Sequence, residues 1–415
     1  MRPFFPPLLR ENLVFRRFWT GQTISLMGDQ VTLIALPLTA VLVLDANAAQ
    51  MGYLVAAELI PNLLFALHAG AWVDRRGRRR QIMIATDLGR GAVIATIPLA
   101  YAFDALTIHQ LYIVAFLVGT MSVLFQVAYS SLFIAVVERD SYVTASSLLA
   151  GSRAFSFVAG PSIGGVLVQI LKAPVTLVID SVSYLFSAGF LASIAPVEPP
   201  TETGERGQVV AGIKYVLRNR TMRASLLATA TINLFNFAFH ALFILYAVRS
   251  LDVRPGTLGL VLGAGAVGGL IGSVLTTRLS RRIGIGPAFL LGCIVFPVPL
   301  LLVPLAGGPQ WLVLAMLFLA EFGSGLGVMI LDITAGSIFA ALVPGRLRSR
   351  VSGAYTVVNY GIRPIGSLLG GFLGTALGLR PALWIATTCA IAGFLWLIPS
   401  PIPGMRELPQ TEEPL

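Results

Sequence analysis

Six carboxylates stand within long apolar stretches of this sequence, and Asp29, Glu58 and Glu321 are the candidates for proton chemistry among them. A carboxylate removed from water holds a proton more readily, so such residues suit a cycle of proton uptake and release. Asp29 and Glu58 have no obvious basic neighbour in sequence and are the leading candidates. Glu321 and Arg363 can form a pair, and the alternative is a structural ion pair that never titrates. Polar neighbours at Asp29, or water at Glu58, would likewise give these two acids a structural role.

The composition indicates that these acids belong to a membrane protein. The 415 residues are 56% hydrophobic and only 12% charged, with a mean hydropathy of +0.83. A soluble protein of this length needs more surface charge. The net charge of +10 comes from arginines in short connections, which indicates a topology signal and contact with anionic lipid, not nucleic acid. The two cysteines, far apart in apolar segments, predict neither a disulfide nor a metal site.

Twelve apolar segments can be marked, most of them long enough for a membrane span of about 20 residues. The first half holds Trp19–Leu44, Met51–Val73, Ile82–Ala102, Leu111–Val137, Ala145–Leu171 and Val175–Ala195. The second half holds Met222–Val248, Thr257–Thr277, Pro287–Ala306, Trp311–Leu342, Val351–Ala376 and Pro381–Ile398. The prediction is an all-α polytopic membrane protein with 12 transmembrane helices.

The basic residues indicate which side of the membrane each connection faces. Of the 29 Lys and Arg residues, 22 lie at the termini or in even-numbered connections, and 4 lie in odd-numbered ones. Cytoplasmic loops carry an excess of Lys and Arg, so both termini are predicted to be cytoplasmic.

A polar, proline-rich stretch divides the chain into two halves. The predicted domains are 1–195, a cytoplasmic linker at 196–220, 221–400 and a cytoplasmic tail at 401–415. The linker is expected to end in an interfacial helix whose apolar face carries Val209, Ile213, Val216 and Leu217. A weak internal repeat, which places Gly77 on Gly284 after a shift of 207 residues, supports two related halves.

The most specific motif is the connection between the second and third segments, Gly70–Arg80. Two membrane-length segments joined by so short a link form an antiparallel hairpin, and five arginines place the link in the cytoplasm. The spacing Gly-x-x-x-Asp-Arg-x-Gly-Arg-Arg closely resembles the loop 2–3 signature of the major facilitator superfamily. The motif residues are Gly70, Asp74, Arg75, Gly77 and Arg78.

The resemblance implies two pseudo-symmetric six-helix bundles and a charge network at their cytoplasmic ends. By this resemblance, the Asp74 carboxylate would cap the inner end of a helix in the other half, because the terminus it faces carries a partial positive charge. Arg75 and Arg78 would join inner-end acids in a network that latches the outward-open state. The further members of this predicted cytoplasmic gate are Asp87, Arg90, Arg278, Arg281 and Asp332. The alternative is a topology signal alone.

The fifth segment carries a second family-like motif, Gly160, Pro161, Gly164 and Gly165. It resembles the Gly-Pro-x-x-Gly-Gly core found in antiporter branches, and it therefore favours export. Small residues also allow close helix packing by themselves, and proline bends a helix. The fourth segment lacks the arginine that many proton-coupled drug exporters carry there, so their proton relay cannot be copied onto this chain.

The family fold also implies which side chains face a central cavity, because its helices 1, 4, 7 and 10 line it. Carried over, Asp29 and Glu321 would face the cavity. The predicted substrate-cavity residues on helices 4 and 7 are Phe125, Tyr129, Asn233, Asn236, Phe237 and His240. Aromatic residues in spans also serve packing or lipid contact, which is the alternative for each of them.

Three stretches, Phe15–Trp19, Ser25–Asp29 and Gly212–Arg223, resemble the macrolide-efflux and enterobactin-exporter branch. The resemblance implies a secondary transporter of the bacterial cytoplasmic membrane that exports amphiphilic drugs in exchange for protons. The expected partners are a small amphiphilic substrate, protons and membrane lipid, with the chain a monomer.

Other functions remain as alternatives. A siderophore exporter or a lysolipid flippase would share the fold, and a non-transporting membrane sensor is more remote because no stretch is long enough for an added soluble domain. The histidines are isolated and no nucleophile or metal spacing is present, so the chain is predicted not to be an enzyme. No nucleotide-binding loop occurs, and we expect a proton gradient, with no cofactor, as the energy source.

Overall fold

The computed structural model describes residues 6–196, 214–344 and 347–408. A short helix, Pro7–Glu11, precedes the long ones. The long helices of these ranges are, in chain order, α1 Leu13–Leu42, α2 Ala48–Arg76, α3 Arg79–Ala102, α4 Ile108–Val136, α5 Tyr142–Leu171, α6 Ala173–Ala192, α7 Arg220–Arg249, α8 Pro255–Ile283, α9 Ile285–Val295, α10 Gln310–Leu342, α11 Arg348–Leu377 and α12 Leu379–Ile391. These ranges contain no strand. The predicted all-α fold is confirmed.

Eleven of these helical regions are long and apolar enough to cross a membrane, and α11 is the long helix outside that set. A chain in lipid must satisfy its backbone hydrogen bonds within each span, and a helix does so. The ninth span is broken within Ile285–Leu305, where α9 gives way to the 3₁₀ turn Val298–Leu301 and the short helix Leu302–Leu305. Pro297, Pro299 and Pro304 explain the break, because proline lacks the backbone donor that a continuous helix needs.

The chain divides into two compact units. Unit 1 comprises residues 1–46, 57–204 and 254–259, and unit 2 comprises residues 47–56, 205–253 and 260–415. In unit 1, large side chains including Phe15, Phe18 and Met83 form a buried cluster. In unit 2, one cluster surrounds Phe289 and Cys293.

The two halves of the sequence repeat the same backbone turns. The described residues contain eight with positive φ, and these fall into four pairs: Asp45 (51°) with Asp252 (51°), Gly77 (62°) with Gly284 (96°), Asp104 (52°) with Gly308 (88°), and Lys172 (71°) with Gly378 (90°). The two residues of each of the first two pairs are 207 positions apart. This is the shift that aligns Gly77 with Gly284 in the internal repeat of the sequence. Positive φ is costly for most side chains, so its recurrence at equivalent connections supports an internal repeat.

Part of the predicted linker and tail lies outside the described residues. This applies to 197–213, with Val209 and Ile213 of the predicted interfacial helix, and to 409–415. Residues 214–218 are helical. Within them Val216 is buried in a cluster with Met222 and Val351, while Leu217 is exposed.

Candidate functional site

Unit 1 contains a buried cluster of charged side chains from α1, α3 and α6. Arg90 and Asp87 lie one helical turn apart on α3 and form an ion pair that is almost completely buried. The Arg90 guanidinium also lies between two aromatic rings, 4.3 Å from the centroid of Tyr184 and 4.4 Å from that of Phe125. A buried ion pair of this kind requires a partner for each charge, and the ring faces stabilise the cation further.

Asp29, the first predicted proton site, belongs to the same cluster. The Tyr184 hydroxyl on α6 donates a hydrogen bond of 2.5 Å to its Oδ1 atom. The Tyr184 ring is the one that contacts Arg90, so a single side chain connects the α1 carboxylate to the α3 cation. The alternative for Asp29 was a structural role among polar neighbours. Tyr184, 155 residues away in sequence, is such a neighbour.

Asp180 adds a third carboxylate, one turn before Tyr184 on α6. Thr32 on α1 donates to its Oδ2 atom, and Ser183 donates to Oδ1 over 3.0 Å. The close approach requires Gly28, because a Cβ atom there would overlap with the Asp180 carboxylate and the Ser183 hydroxyl. The glycine before Asp29 therefore allows α1 and α6 to pack around the acids.

The cluster has more negative than positive groups. Arg90 acts electrostatically on Asp29, Asp87 and Asp180, and it is the cation of the cluster among the described residues. Asp87 retains an Oδ2 atom without a hydrogen-bond partner. Three ionised carboxylates around one guanidinium would leave a net charge of about −2 in an interior that solvates charge poorly.

Glu58 is exposed on α2, and the charge of Asp29 acts on it as well. Its backbone carbonyl packs against Gly119 of α4, where a Cβ atom would overlap with it. The outer-vestibule alternative agrees with its exposure. Of the two leading candidates, Glu58 is exposed and Asp29 is held within a polar cluster.

In unit 2 the predicted Glu321–Arg363 pair is absent among the described residues. Glu321 is 7% exposed and packs against Gly265 of α8, and its Oε1 atom has no hydrogen-bond partner. The Arg363 guanidinium instead lies against the rings of Tyr360 and Phe237, 4.0 Å and 5.0 Å from their centroids. The sequence allowed a pair between the two residues, but the arginine contacts aromatic rings.

The predicted cavity residues of α7 form a polar and aromatic strip with α11. The Asn233 amide donates to Asn359 Oδ1 over 3.2 Å, and Asn236 is 8% exposed with an Oδ1 atom that has no partner. His240 lies beside Phe237, with ring centroids 6.2 Å apart.

The cavity residues of α4 have a different environment. Phe125 is 8% exposed and lies against Arg90, and its ring stacks near Tyr129, which in turn stacks on Phe18 at 5.5 Å. This packing assigns Phe125 to the interior of unit 1, whereas the sequence placed it in a cavity wall.

Two of the predicted gate residues pair with each other in the interior of unit 1. Asp87 is completely buried and its ion partner is Arg90, whereas Arg75 and Arg78 are exposed. Asp332 makes no ion pair with Arg278 or Arg281 in the described part of the chain, and all three are exposed. The side chain of Asp74 lies outside the described residues.

Other parts of the loop serve the local fold of unit 1. Gly77 adopts a φ of 62° between α2 and α3, and no atom would contact a Cβ at Gly70. The Arg80 guanidinium donates to the carbonyl of Ala192, and that of Arg17 donates to Ser193 over 2.7 Å. Both arginines thereby satisfy carbonyl groups at the C-terminal end of α6, where a positive charge is favoured.

The glycine motif of α5 lies in a close helix contact. A Cβ at Gly160 or Gly164 would overlap with Gln30 or approach the backbone of Val31 on α1. Gly165 packs against Pro255 and Gly259 within unit 1, and Pro161 is buried. Small residues allow this approach, and the motif therefore has a packing role in this structure.

Sequence reasoning missed Tyr184, Tyr360 and Asn359 and gave Asp180 no role. Each had a weak signal. Asp180 and Tyr184 are four residues apart and share a helix face, and Tyr360 and Arg363 are three apart, which places an aromatic ring beside a cation. Neither spacing identifies the partner from another helix.

Comparison with known proteins gives a consistent family. The family model described as Major Facilitator Superfamily matches residues 18–363. The multidrug efflux pump Tap of Mycobacterium tuberculosis is 27% identical over 409 residues, which cover 92% of this chain and 91% of that protein. The staphyloferrin A transporter of Staphylococcus aureus is 21% identical over 387 residues, covering 92% and 95% of the two chains.

Solved structures share the fold. The nucleoside transporter NupG superposes with a TM-score of 0.73 at 12% identity, covering 93% of this chain and 98% of that one. A bacterial homologue of the iron transporter ferroportin, in an inward-facing state, gives a TM-score of 0.74 at 17% identity and covers 95% and 99%.

Proposed function

Because the chain belongs to the Major Facilitator Superfamily, we propose that it is a secondary active transporter that exports amphiphilic drugs in exchange for protons, by alternating access. Family membership makes it a multi-pass membrane transporter and not an enzyme. The export of drugs and the coupling to protons are our proposal.

The observation that carries proton coupling is the excess of buried acid in unit 1. Asp29, Asp87 and Asp180 share the single guanidinium of Arg90. Asp87 is already paired with Arg90, and Asp180 accepts two hydroxyl hydrogen bonds. Asp29 accepts a hydrogen bond from the Tyr184 hydroxyl and is half-buried. Asp29 is therefore the carboxylate best suited to exchange its proton, and the neighbouring charges make its ionisation sensitive to events around it.

The substrate class is supported by the relatives and by α7. Relatives over nearly the full length include a multidrug efflux pump. Phe237, His240 and the asparagines of α7 offer apolar surface with a few polar groups, which is the usual character of a site for amphiphilic molecules. The α5 motif, by its resemblance to antiporter branches, favours export.

Export of a siderophore is the second candidate. A staphyloferrin A transporter is among the relatives, and Arg363 lacks an ion pair among the described residues, so an acidic substrate would meet a cation.

The test is transport in proteoliposomes with an imposed proton gradient, using a macrolide, a tetracycline and a cationic dye. We compare the wild type with Asp29→Asn and Glu58→Gln. Asp104→Asn serves as the control, since it removes an exposed carboxylate from a connection and asparagine tolerates the same positive φ. We expect Asp29→Asn to lose uphill transport and to keep exchange of substrate across the membrane without a gradient.

Two outcomes would contradict parts of this proposal. Uphill transport that survives both neutralised variants would exclude Asp29 and Glu58 as the coupling sites. If folded wild-type protein moves no member of the panel, the drug substrate class is wrong, and siderophores are tested next in the same liposomes.

A further inference from the structure

Arg363 on α11 is a cation without an anionic partner among the described residues of unit 2. Its guanidinium contacts the rings of Tyr360 and Phe237, and its Nε atom is buried without a hydrogen-bond partner. Arginine within a membrane span is costly, and it normally pairs with an acid or lines a functional pathway.

Arg90 shows how the same chain surrounds a buried guanidinium that has an ion partner. Both arginines contact two aromatic rings, at 4.3 Å and 4.4 Å for Arg90 and at 4.0 Å and 5.0 Å for Arg363. The Nε atom of each arginine lacks a hydrogen-bond partner, but Arg90 also has Asp87 as a buried ion partner. Arg363 has the aromatic contacts but no carboxylate partner among the described residues. Its guanidinium is therefore available to bind an anion.

The nearby acids of α10 do not supply that ligand. The charge of Asp332 acts on Arg363, but Asp332 is exposed and forms no ion pair with it among the described residues. Glu321 packs against Gly265. The Asp332 carboxylate therefore attracts the Arg363 guanidinium only weakly, from a distance. Removing its charge should strengthen the attraction of Arg363 for another anion.

The groups beside Arg363 suit the rest of an amphiphilic acid. Phe237 and Tyr360 present aromatic faces, which bind planar apolar groups. The Asn236 Oδ1 atom is buried without a partner, and His240 lies next to Phe237. A guanidinium binds a carboxylate through two parallel hydrogen bonds, which fixes its orientation as well as its affinity.

From this geometry we infer that Arg363 binds a carboxylate of the transported molecule, and that the substrates of this chain are amphiphilic acids or zwitterions. The inference rests on the proposed transport function and specifies its substrate class. Neutral and purely cationic amphiphiles are then poor ligands, and carboxylate-bearing drugs or chelators are good ones.

The test is equilibrium binding to purified protein in phosphatidylcholine nanodiscs, followed by fluorescence anisotropy. The probes are norfloxacin, an intrinsically fluorescent carboxylate, and its methyl ester, which lacks the negative charge. We expect the wild type to bind the acid about tenfold or more tighter than the ester, because a charge-assisted hydrogen bond contributes about 1.5–3 kcal/mol. Arg363→Gln should reduce the affinity for the acid to that for the ester and leave the ester unchanged.

Three further variants separate recognition from folding. Arg363→Lys should retain part of the preference for the acid, and Asp332→Asn should increase it, which a merely structural arginine would not produce. Arg282→Gln, which removes an exposed arginine of the same unit, should change nothing. Equal binding of acid and ester by the wild type, or no binding of either, would overturn the inference.

This binding test is independent of the transport test. Selective binding of the acid without uphill transport would contradict the proposed function and leave the anion site intact. Proton-driven export of the cationic dye that is unaffected by Arg363→Gln would support the proposed function and contradict the substrate class.

Discussion

At the level of single residues, the chain deals with buried charge in two ways. Arg90 has an acid, a tyrosine and a phenylalanine around it and is 3% exposed. Glu321 is buried with an unpartnered Oε1 atom, and Arg363 has aromatic neighbours in place of an acid. Asp87 compensates the charge of Arg90 within the protein, whereas Glu321 and Arg363 have no ion partner among the described residues and indicate where a proton or substrate would bind.

The Arg90–Asp87 pair leads to a stability prediction. Asp87→Asn removes the ion partner that contacts the guanidinium, while Asp29 and Asp180 still act on it electrostatically, so the variant should lose about 1–3 kcal/mol of unfolding free energy. Chemical unfolding in detergent micelles measures this loss. Asp140→Asn, at an exposed position, is the control and should unfold like the wild type. An Asp87→Asn protein as stable as that control would contradict a structural role for the pair.

At the level of helices, glycines determine how closely α7 and α11 approach. A Cβ at Gly366 would overlap with the carbonyl of Leu234, and one at Gly370 with the carbonyl of Ala238. Backbone atoms cannot move aside as side chains can. The close contact keeps Asn233 beside Asn359 and Phe237 beside Arg363, so the packing of two helices positions the proposed binding site.

We therefore predict that Gly366→Ala separates these helices and destabilises the protein by about 1–3 kcal/mol, as overpacking does elsewhere. Gly353→Ala, on the same helix, is the matched control, because no atom lies within 4 Å of its Cβ position, and alanine favours a helix more than glycine. Thermal unfolding of both variants in the same detergent makes the comparison. A Gly366→Ala variant as stable as the Gly353→Ala variant would show that the contact is not tight.

At the level of the whole molecule, arginine placement predicts orientation in the membrane. Even-numbered connections carry most of the basic residues, and this asymmetry predicts a cytoplasmic position for both termini. Proton-driven export depends on this orientation, because it defines which ends of the helices face the higher proton concentration.

Cysteine labelling tests the orientation. In a background with Cys293→Ala and Cys389→Ser, His109→Cys in the first turn of α4 should react with a membrane-impermeant maleimide in intact cells. Arg282→Cys, in the last turn of α8, should react only after permeabilisation; both positions are exposed. If Arg282→Cys reacts in intact cells and His109→Cys reacts only after permeabilisation, both termini are extracellular, and the predicted direction of transport is reversed.

The fold class, the approximate ends of the helices and the family could all be predicted from the amino-acid order. The predicted segment Ile82–Ala102 corresponds to α3 at Arg79–Ala102, and Trp311–Leu342 corresponds to α10 at Gln310–Leu342. These features are local: a span needs a certain apolar length, and each helix satisfies its own backbone. The loop motif is local as well, and it was sufficient to recognise the superfamily.

Which charges meet could not be predicted in the same way. Asp29 and Tyr184 are 155 residues apart, and their hydrogen bond depends on how α1 and α6 are rotated about their axes around Gly28. Glu321 and Arg363 can pair by their positions in the sequence, yet α7 presents Phe237 to the arginine and α8 presents Gly265 to the acid. Hydropathy gives the depth of a residue in a span but not the neighbour that its helix face meets, because that neighbour is set by packing between distant segments.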